Sequence, residues 1–325
     1  MDDAIVSRAA SGSINWKEPA PRSCIRGAVY TDSGDIVDDS ERPGGTGSDL
    51  RVVTVNPRHL TGKERKEAAD HVVRGPWLYA GSWMQQFGHF IVETLPNLWP
   101  LLRDEEAGAV RGLVAHRFTS RRRHPWQDAM VRPLIGEREI HVVDSTPATY
   151  ERLMIPSRPY LYRTAISPRA AEVWKCVADR IAPEDASHPS RVFLSRTRFV
   201  DSLPKDAPGR ARSYANSGAV DDLFRQRGFM VVYPEELTVA DQVGLVRDAE
   251  IVAGAGGSAL HLAAFMRSGR VIELGDKRSR TNLIATQRAI AAVKSQLIVH
   301  LPFHADFRGA FDVGSLDERL ASIID

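Results

Sequence analysis

Cysteine, net charge and long apolar runs are all scarce in this sequence of 325 residues. The two cysteines, Cys24 and Cys176, lie far apart and match no metal or redox spacing, so we expect no disulfide framework and a reducing compartment. The net charge of +2 is too small to indicate a nucleic-acid partner. Residues 1–22 lack the apolar core of a signal peptide, and no run approaches the roughly 20 apolar residues that span a bilayer. These absences predict a cytoplasmic protein.

The composition is typical of a globular protein, with 43% hydrophobic and 26% charged residues. The length suffices for two domains. We predict a loop-rich segment over residues 1–50 with one strand near 25–30, an α/β domain over 51–185 and a second α/β domain over 190–325. The basic run 121–124 is compatible with peripheral association at the inner face of a membrane, although a solvated loop is the simpler interpretation.

Strand-like and helical patterns alternate through both predicted domains. In the first domain, the predicted strands are residues 52–53, 77–79, 112–115, 140–143 and 153–155. The clearest helix covers 87–102, where Pro96 is expected to bend or break it. In the second domain, the predicted strands are 191–196, 229–233, 251–253, 270–274 and 297–301, and the predicted helices are 221–227, 238–248, 282–296 and 316–324. This alternation predicts two Rossmann-like, doubly wound α/β domains that face a cleft.

A small-residue turn follows the strand at 251–253 and precedes an apolar helical run. Four of its residues would offer backbone N–H groups to a phosphate: Gly254, Gly256, Gly257 and Ser258. Glu273 follows Gly254 by nineteen residues and would end the next strand, where such folds bind a ribose hydroxyl. The turn therefore predicts a nucleotide site, and the alternative is a turn that needs small residues only for packing.

Three blocks of residues occur in a fixed order along the chain. The first is 86–99, which contains Gln86-Phe-Gly-His89 and then Glu93, Leu95 and Pro96. The second is Arg-Val-Phe-Leu-Ser-Arg at 191–196 with the segment 212–216, and the third runs from 228 to 273 through the Gly-rich turn. This order resembles glycosyltransferase family 61, whose bacterial members include capsular and surface polysaccharide biosynthesis proteins.

The resemblance implies a two-domain transferase of the GT-B type that uses a nucleotide sugar and inverts the anomeric centre. The expected donor is a uridine diphosphate sugar, with guanosine and cytidine diphosphates left open, and the acceptor is a polysaccharide or glycolipid. The chain departs from the family pattern at three positions: Gln86 replaces the usual Asn, Gly256 a frequent His and Leu262 a frequent Asn.

Glycosyl transfer needs a base for the acceptor hydroxyl and positive charge or dipoles for the departing diphosphate. His89 and Glu93 are spaced i, i+4 and share one face of a helix. Either side chain can take the proton; we favour His89 as the base, with Glu93 orienting it or binding the acceptor sugar. A pair bonded only to a neighbouring loop is the alternative.

Further residues are predicted to bind the donor. Arg196 ends a strand, and its planar guanidinium suits a diphosphate, although a surface ion pair is the alternative. Arg212 and Asn216 are expected to close over the donor, and Glu273 to bind the ribose or the sugar. No metal or other cofactor is expected, because no Asp-x-Asp pair ends a predicted strand and His300 with His304 lacks a third ligand.

Two other functions stay open at this point. The turn at Gly254 with Glu273 also fits a nicotinamide-dependent oxidoreductase, which would leave the block at 86–99 unexplained. The departures at Gly256 and Leu262 instead favour a non-catalytic sugar-nucleotide-binding scaffold. Ligand binding and turnover would separate the three.

Overall fold

The structure is a computed structural model that describes residues 1–14, 22–42, 52–54, 56–103, 105–118, 123–161, 164–182, 189–204, 214–276, 282–303 and 309–324. At residues 10–14, 22–26, 52–54 and 106 only the backbone is described. The chain divides into two compact units, Met1–Trp174 and Lys175–Asp325. Both combine helices with parallel strands, so the predicted α/β class is confirmed.

The first unit is built on a mixed six-stranded sheet. In the order β4-β1-β9-β6-β7-β8, its strands are β4 Val29–Tyr30, β1 Asp2–Val6, β9 Ala148–Met154, β6 Val72–Trp83, β7 Gly112–Arg117 and β8 Glu139–Val143. The four strands from β9 to β8 pair in parallel, and β1 pairs antiparallel with both β4 and β9. The prediction of one strand in residues 1–50 was therefore incomplete. The buried Ala4 and Val6 explain this addition, because they pack on the same core as Trp77 and Tyr150.

Two smaller sheets and several short helices complete the first unit. The small sheets are β2 Ala10–Ile14, β3 Arg22–Arg26 and β5 Val52–Thr54, and β10 Tyr160–Leu161 with β11 Ala165–Ile166. The helices are α1 Gly62–Ala69, α2 Phe87–His89, α3 Glu105–Gly108 and α4 Pro125–Ile135, and α5 Pro168–Ile181 continues into the second unit.

The predicted helix at 87–102 changes its form twice. After α2 the chain makes a π-helical turn over Phe90–Thr94 and then a 3-10 helix over Leu95–Leu102. Pro96 has no N–H to donate to the preceding turn and its ring crowds that turn. The N–H of Leu95 instead reaches back to the carbonyl of Phe90, five residues away. The predicted break at Pro96 is confirmed. It places Glu93 in a widened turn of the kind that often occurs at functional sites, with His89 directly before that turn.

The second unit has a five-stranded, fully parallel sheet in the order β13-β12-β14-β15-β16. The strands are β12 Arg191–Leu194, β13 Met230–Val232, β14 Ile251–Ala255, β15 Arg270–Leu274 and β16 Leu297–Leu301. The helices are α6 Thr197–Ser202, α7 Ser217–Gln226, α8 Val239–Arg247, α9 Ala285–Val293 and α10 Val313–Ile324, with a 3-10 helix at Leu260–Phe265. The helix α7 packs on α10, whereas α8 and α9 pack on the 3-10 helix. Continuous apolar runs such as β14 are buried throughout, as expected for a parallel strand that is covered on both faces.

The start of α8 follows from its cap. The Thr238 side chain accepts a hydrogen bond from the N–H of Asp241 at 3.2 Å, which satisfies one of the unpaired donors of the first turn. The predicted cap is confirmed. In the described part of the chain no helix is long and apolar enough to cross a membrane.

Candidate active site

The strand order of the first unit reverses at β6 and β9, since the chain proceeds from β6 to β7 and β8 and then returns to the other side of β6. In open α/β sheets, ligands bind near the carboxyl ends of strands at such a reversal. The segment that follows β6 carries His89 and Glu93, and the segment that follows β9 carries Arg158. The topology thus places His89, Glu93 and Arg158 at the same edge of the sheet.

His89 and Glu93 form a hydrogen-bonded pair. Nδ1 of His89 lies 2.5 Å from Oε1 of Glu93, and the histidine side chain is 32% exposed whereas the carboxylate is 8% exposed. A carboxylate only accepts hydrogen bonds, so Nδ1 carries the proton. No donor or acceptor in the described part of the chain contacts the other ring nitrogen, Nε2. The pair therefore presents Nε2 as a free acceptor on a ring of fixed orientation.

Arg42 binds the same carboxylate from the other side. Its Nε donates to Oε2 of Glu93 at 2.7 Å and its Nη2 donates to Oε1 at 3.2 Å, a two-pronged contact that is almost fully buried. Burial alone would raise the pKa of Glu93, but the hydrogen bond with His89 and the charge of Arg42 outweigh it and lower the pKa to about 2. Glu93 therefore stays ionised and is too weak a base to take a proton from a hydroxyl group.

The segment that carries Arg42 is held in place by hydrogen bonds from Arg158 and Val29. Arg158 donates from Nε to the carbonyl of Asp39 at 3.1 Å and from Nη2 to the carbonyl of Ser40 at 2.5 Å. The Ser40 hydroxyl accepts from the N–H of Val29 at 2.8 Å, which ties the segment to β4. The position of Arg42 thus depends on residues from both the start and the end of the first unit.

The helical segment is fastened to the end of β6. Thr94 donates to the carbonyl of Ser82 at 2.7 Å, and Asn97 donates to the carbonyl of Ala80 at 3.0 Å. Gly81 has a φ of +77°, and a Cβ there would lie 2.6 Å from the Asn97 amide nitrogen, so a glycine is required for this approach. These contacts set the distance between the strand and the His89–Glu93 pair.

We expect Glu93→Gln to remove a pH-dependent part of the stability. Because the folded-state pKa is lowered from 4.5 to about 2, the carboxylate stabilises the fold above pH 4.5, and this contribution is lost as the pH falls towards 2. The shift corresponds to about 3 kcal/mol for this buried group. Urea unfolding of both proteins between pH 7 and pH 2 should show the difference in unfolding free energy shrinking across that window.

Glu172→Gln is the matched control for this experiment. Glu172 also accepts two hydrogen bonds from one arginine, Arg103, but its side chain is 38% exposed, against 8% for Glu93. Its effect should stay below about 1 kcal/mol, because water screens an exposed pair. A difference for Glu93→Gln that is the same at every pH would contradict the assignment.

In the second unit the strand order reverses between β12 and β14. A small crevice that is open to solvent lies at their carboxyl ends. Its lining includes Phe193, Ser195, Arg196, Tyr214, Ser217, Asp221 and Ala255. The sheet topology and the crevice therefore indicate the same place.

Arg196 lies beside the Gly-rich turn. A Cβ built on Gly257 would be 3.9 Å from Nη1 of Arg196, and Gly257 itself has a φ of +143°. The N–H groups of Gly257, Ser258 and Ala259 have no acceptor in the described part of the chain. A guanidinium next to free backbone donors is suited to bind a phosphate.

The two other glycine-turn positions have structural surroundings. Gly254 lies in β14, where a Cβ would be 3.2 Å from the Leu194 carbonyl. The N–H of Gly256 donates to the carbonyl of Leu274 at 3.1 Å, and a Cβ there would press on Ile284 and Glu273. Both glycines therefore permit close packing of the strands and of the segment after β15.

Three predicted donor-binding residues differ in their surroundings. Asn216 uses both halves of its amide on the Phe311 backbone, which fastens the start of α7. Glu273 is fully buried, and its Oε1 accepts from the N–H of Ile284 at 2.9 Å. The oxidoreductase interpretation requires the Glu273 carboxylate to reach a ribose hydroxyl, and this carboxylate is not exposed. Arg212 lies outside the described residues.

The described residues contain no group of three or more His, Cys, Asp or Glu side chains able to hold a metal ion. His300 lies 3.4 Å from Glu273, and His304 is outside the described residues. Of the basic run, Arg121 and Arg122 are likewise outside, and Arg123 pairs with Asp128.

Sequence reasoning missed Arg42, Arg158 and Asp221. Arg42 lies in a segment whose composition predicted only loops, and its partner Glu93 is 51 residues further along the chain. No local pattern distinguishes it from other arginines. Asp221 is part of a helix whose periodicity was recognised, but a sequence does not show that this face of the helix lines a crevice.

Comparisons with known proteins place the chain among sugar transferases. Two distant solved structures are the iron-containing dodecameric glycosyltransferase TibC from enterotoxigenic E. coli H10407 and the heptosyltransferase TibC in complex with ADP-D-beta-D-heptose. Each is 11% identical and covers 84% of this chain and 73% of its own, with TM-scores of 0.33 and 0.31. No curated protein matches. The family model of Glycosyltransferase 61 matches residues 87–272, which include His89, Glu93, Arg196 and the Gly-rich turn. Since this match covers more than half of the sequence, the chain belongs to glycosyltransferase family 61.

Proposed function

We propose that this glycosyltransferase transfers a sugar from a nucleotide-sugar donor to a hydroxyl group of a polysaccharide or glycolipid, with inversion at the anomeric carbon. The observation that carries the proposal is the arrangement of Arg42, Glu93 and His89, which holds one free imidazole nitrogen on a buried carboxylate. The acceptor class follows from the family resemblance, because the bacterial members of the family include capsular and surface polysaccharide biosynthesis proteins.

In the proposed step, Nε2 of His89 takes the proton of the acceptor hydroxyl while its oxygen attacks the anomeric carbon. The bond from that carbon to the donor phosphate breaks, and its electron pair leaves with the nucleoside diphosphate. Glu93 keeps the ring in one tautomer and stabilises the imidazolium that forms. Both oxygens of Glu93 are bonded, by Arg42 and His89, so this carboxylate is not free to attack the sugar. A single displacement, which inverts the centre, is the reaction that these groups favour.

Arg196 and the N–H groups of residues 257–259 are the proposed diphosphate site. They would neutralise the charge that develops on the leaving group, and we propose that transfer needs neither a metal nor another cofactor. The GT-B organisation, with two α/β units across a cleft, stays a prediction from the resemblance. So does the role of Arg212.

Ligand-dependent stability tests the proposal. A nucleoside diphosphate at about 100 times its dissociation constant should add roughly 2.7 kcal/mol to the free energy of unfolding, seen as a rise in the melting temperature. The rise should persist in EDTA, and donor hydrolysis or transfer should accompany it. A response to NAD or NADP alone would favour an oxidoreductase, and nucleotide binding without any turnover would favour a scaffold.

A further inference from the structure

Two buried side chains of the first unit have no part in the proposed mechanism. Tyr79 on β6 is 2% exposed, and His116 on β7 is 1% exposed. The Tyr79 hydroxyl lies 2.8 Å from Nδ1 of His116, and Nε2 of His116 lies 2.9 Å from the carbonyl oxygen of Ser7. Since Ser7 directly follows β1, the two side chains connect the centre of the sheet to the N-terminal strand.

The positions of the protons follow from the partners of the His116 ring. A carbonyl group only accepts hydrogen bonds, so Nε2 carries the ring proton and donates it to Ser7. Burial lowers the pKa of His116 to about 4, although the Ser7 carbonyl opposes this effect, so the ring is neutral at pH 7 and Nδ1 is an acceptor. Burial also raises the pKa of Tyr79, so its hydroxyl keeps the proton that it donates to Nδ1.

The packing around the His116 ring fixes its orientation. The ring meets the Tyr79 ring edge-on, with 5.6 Å between the two centroids and 78° between their planes. A Cβ built on Gly27 would lie 2.7 Å from Cγ and Cδ2 of His116, so the backbone at residue 27 lies directly against the imidazole. The Tyr79 hydroxyl therefore donates to an acceptor that has little room to move.

The same hydroxyl contacts the segment that carries Arg42. Its oxygen lies 3.2 Å from the carbonyl oxygen of Ser40, which also accepts from Nη2 of Arg158 at 2.5 Å. Ser40 is fully buried and ends a short 3-10 helix, Asp38–Ser40, and Arg42 follows two residues later. Tyr79 thus determines the position of the Ser40 carbonyl from within the core.

We propose that Tyr79 and His116 are positioning residues for the transfer reaction. They fix the segment from which Arg42 makes its two-pronged contact with Glu93. The inference rests on the proposed function, in which that carboxylate orients the catalytic imidazole. Both side chains are buried, so they act on the reaction through Arg42 and not by contact with a substrate.

Tyr79→Phe tests the proposal, because it removes one oxygen atom and keeps the ring. The variant should lower kcat by roughly tenfold to 10²-fold, since a displacement of about 1 Å at a catalytic group costs that much. The KM values for donor and acceptor should stay within about twofold, because the hydroxyl binds neither substrate. The measurement is the initial rate of transfer by the full chain, together with the melting temperature of each variant.

A double-mutant cycle with Arg42→Lys separates positioning from a general loss of packing. In the Arg42→Lys background the two-pronged contact is already lost, so Tyr79→Phe should change kcat by less than about twofold. If Tyr79→Phe lowers kcat by the same factor in both backgrounds, Tyr79 acts independently of Arg42 and the inference is overturned. Wild-type kcat in Tyr79→Phe would also overturn it and leave the proposed function standing.

Tyr150→Phe is the matched control. Tyr150 belongs to the same unit, is 1% exposed and has its hydroxyl 3.4 Å from Nδ1 of His141, a residue of the edge strand β8. This variant also removes a buried hydroxyl beside a histidine, and it should keep the wild-type kcat.

A pair of His116 variants carries the test if Tyr79→Phe fails to fold. The side-chain oxygen in His116→Asn can take the place of Nδ1 as the acceptor for Tyr79, so this variant should keep kcat within about threefold of wild type. His116→Ala has no such acceptor and should lose as much as is expected for Tyr79→Phe. Equal losses in the two variants would contradict the positioning role.

Acid unfolding gives a readout that needs no transfer activity. If Tyr79→Phe displaces Arg42, the pKa of Glu93 should rise from about 2 towards 4.5. The stability that Glu93 provides relative to Glu93→Gln is then lost at a higher pH as the solution is acidified. An unchanged pH window would overturn the inference. Absence of transfer by the wild-type protein would contradict the proposed function, and this comparison would still decide whether Tyr79 positions Arg42.

Discussion

His89→Ala is expected to lower kcat/KM for transfer by about 10²-fold to 10⁴-fold, the usual contribution of a general base. The loss should lie mainly in kcat, because the imidazole takes the proton in the transition state rather than binding the ground state. The measurement is initial-rate transfer with donor and acceptor varied in turn. Added imidazole should restore part of the rate in His89→Ala, because the cavity left by the side chain lies beside an intact Glu93.

His71→Ala is the control for this prediction, since His71 is exposed and belongs to the same unit. It should transfer at the wild-type rate. A merely structural role for His89 would lower the melting temperature without any rescue by imidazole. Wild-type kcat/KM in folded His89→Ala would refute the base assignment.

Arg196→Ala is expected to raise the dissociation constant of nucleoside diphosphates by about tenfold to a hundredfold, since a hydrogen bond to a charged group contributes roughly 1.5–3 kcal/mol. A further loss in kcat of about 10²-fold to 10³-fold is expected if the guanidinium also stabilises the leaving group. Arg196→Lys should recover part of the binding and little of kcat, because a lysine keeps the charge but not the planar fork. Calorimetry and initial rates separate the two effects.

Arg198→Ala is the matched control, two residues further along. Arg198 is exposed, pairs with Glu236 and lies over the Tyr233 ring. Its replacement should change nucleotide affinity by less than about threefold, as expected of a surface ion pair. If Arg196→Ala and Arg198→Ala bind nucleoside diphosphates with equal affinity, Arg196 does not belong to the diphosphate site.

Local sequence patterns predicted most of the secondary structure of the second unit. The strands at β15 and β16 begin and end at the predicted residues, and Thr238 caps α8. These features depend on residues that are close in sequence: apolar runs of strand length, a capping side chain and a proline without an N–H. The change of helix type after His89 is also a local effect, because Pro96 disrupts the hydrogen bonding of the turn before it.

Pairing with distant strands determined the structure of the N-terminal segment. Its Gly-, Ser- and Pro-rich composition predicts loops, yet β1 pairs antiparallel with β9 and β4 pairs antiparallel with β1, which extends the sheet by two strands. Strands this short gain little from their own propensity. They are stabilised by the core that they help to cover, so their formation depends on residues more than 100 positions away.

By itself, the sequence determined the α/β class, the order of most elements and the candidate pair of His89 and Glu93, because periodicity, caps and i, i+4 spacing are local. Tertiary structure alone decided that Arg42 binds Glu93 and, together with His89, keeps it ionised, and that Asp221 and Arg196 line one crevice at the reversal between β12 and β14. The physical reason is that charge neighbours, burial and strand order arise only when distant segments pack together. The same packing determines which of two hydrogen-bonded groups can accept a proton.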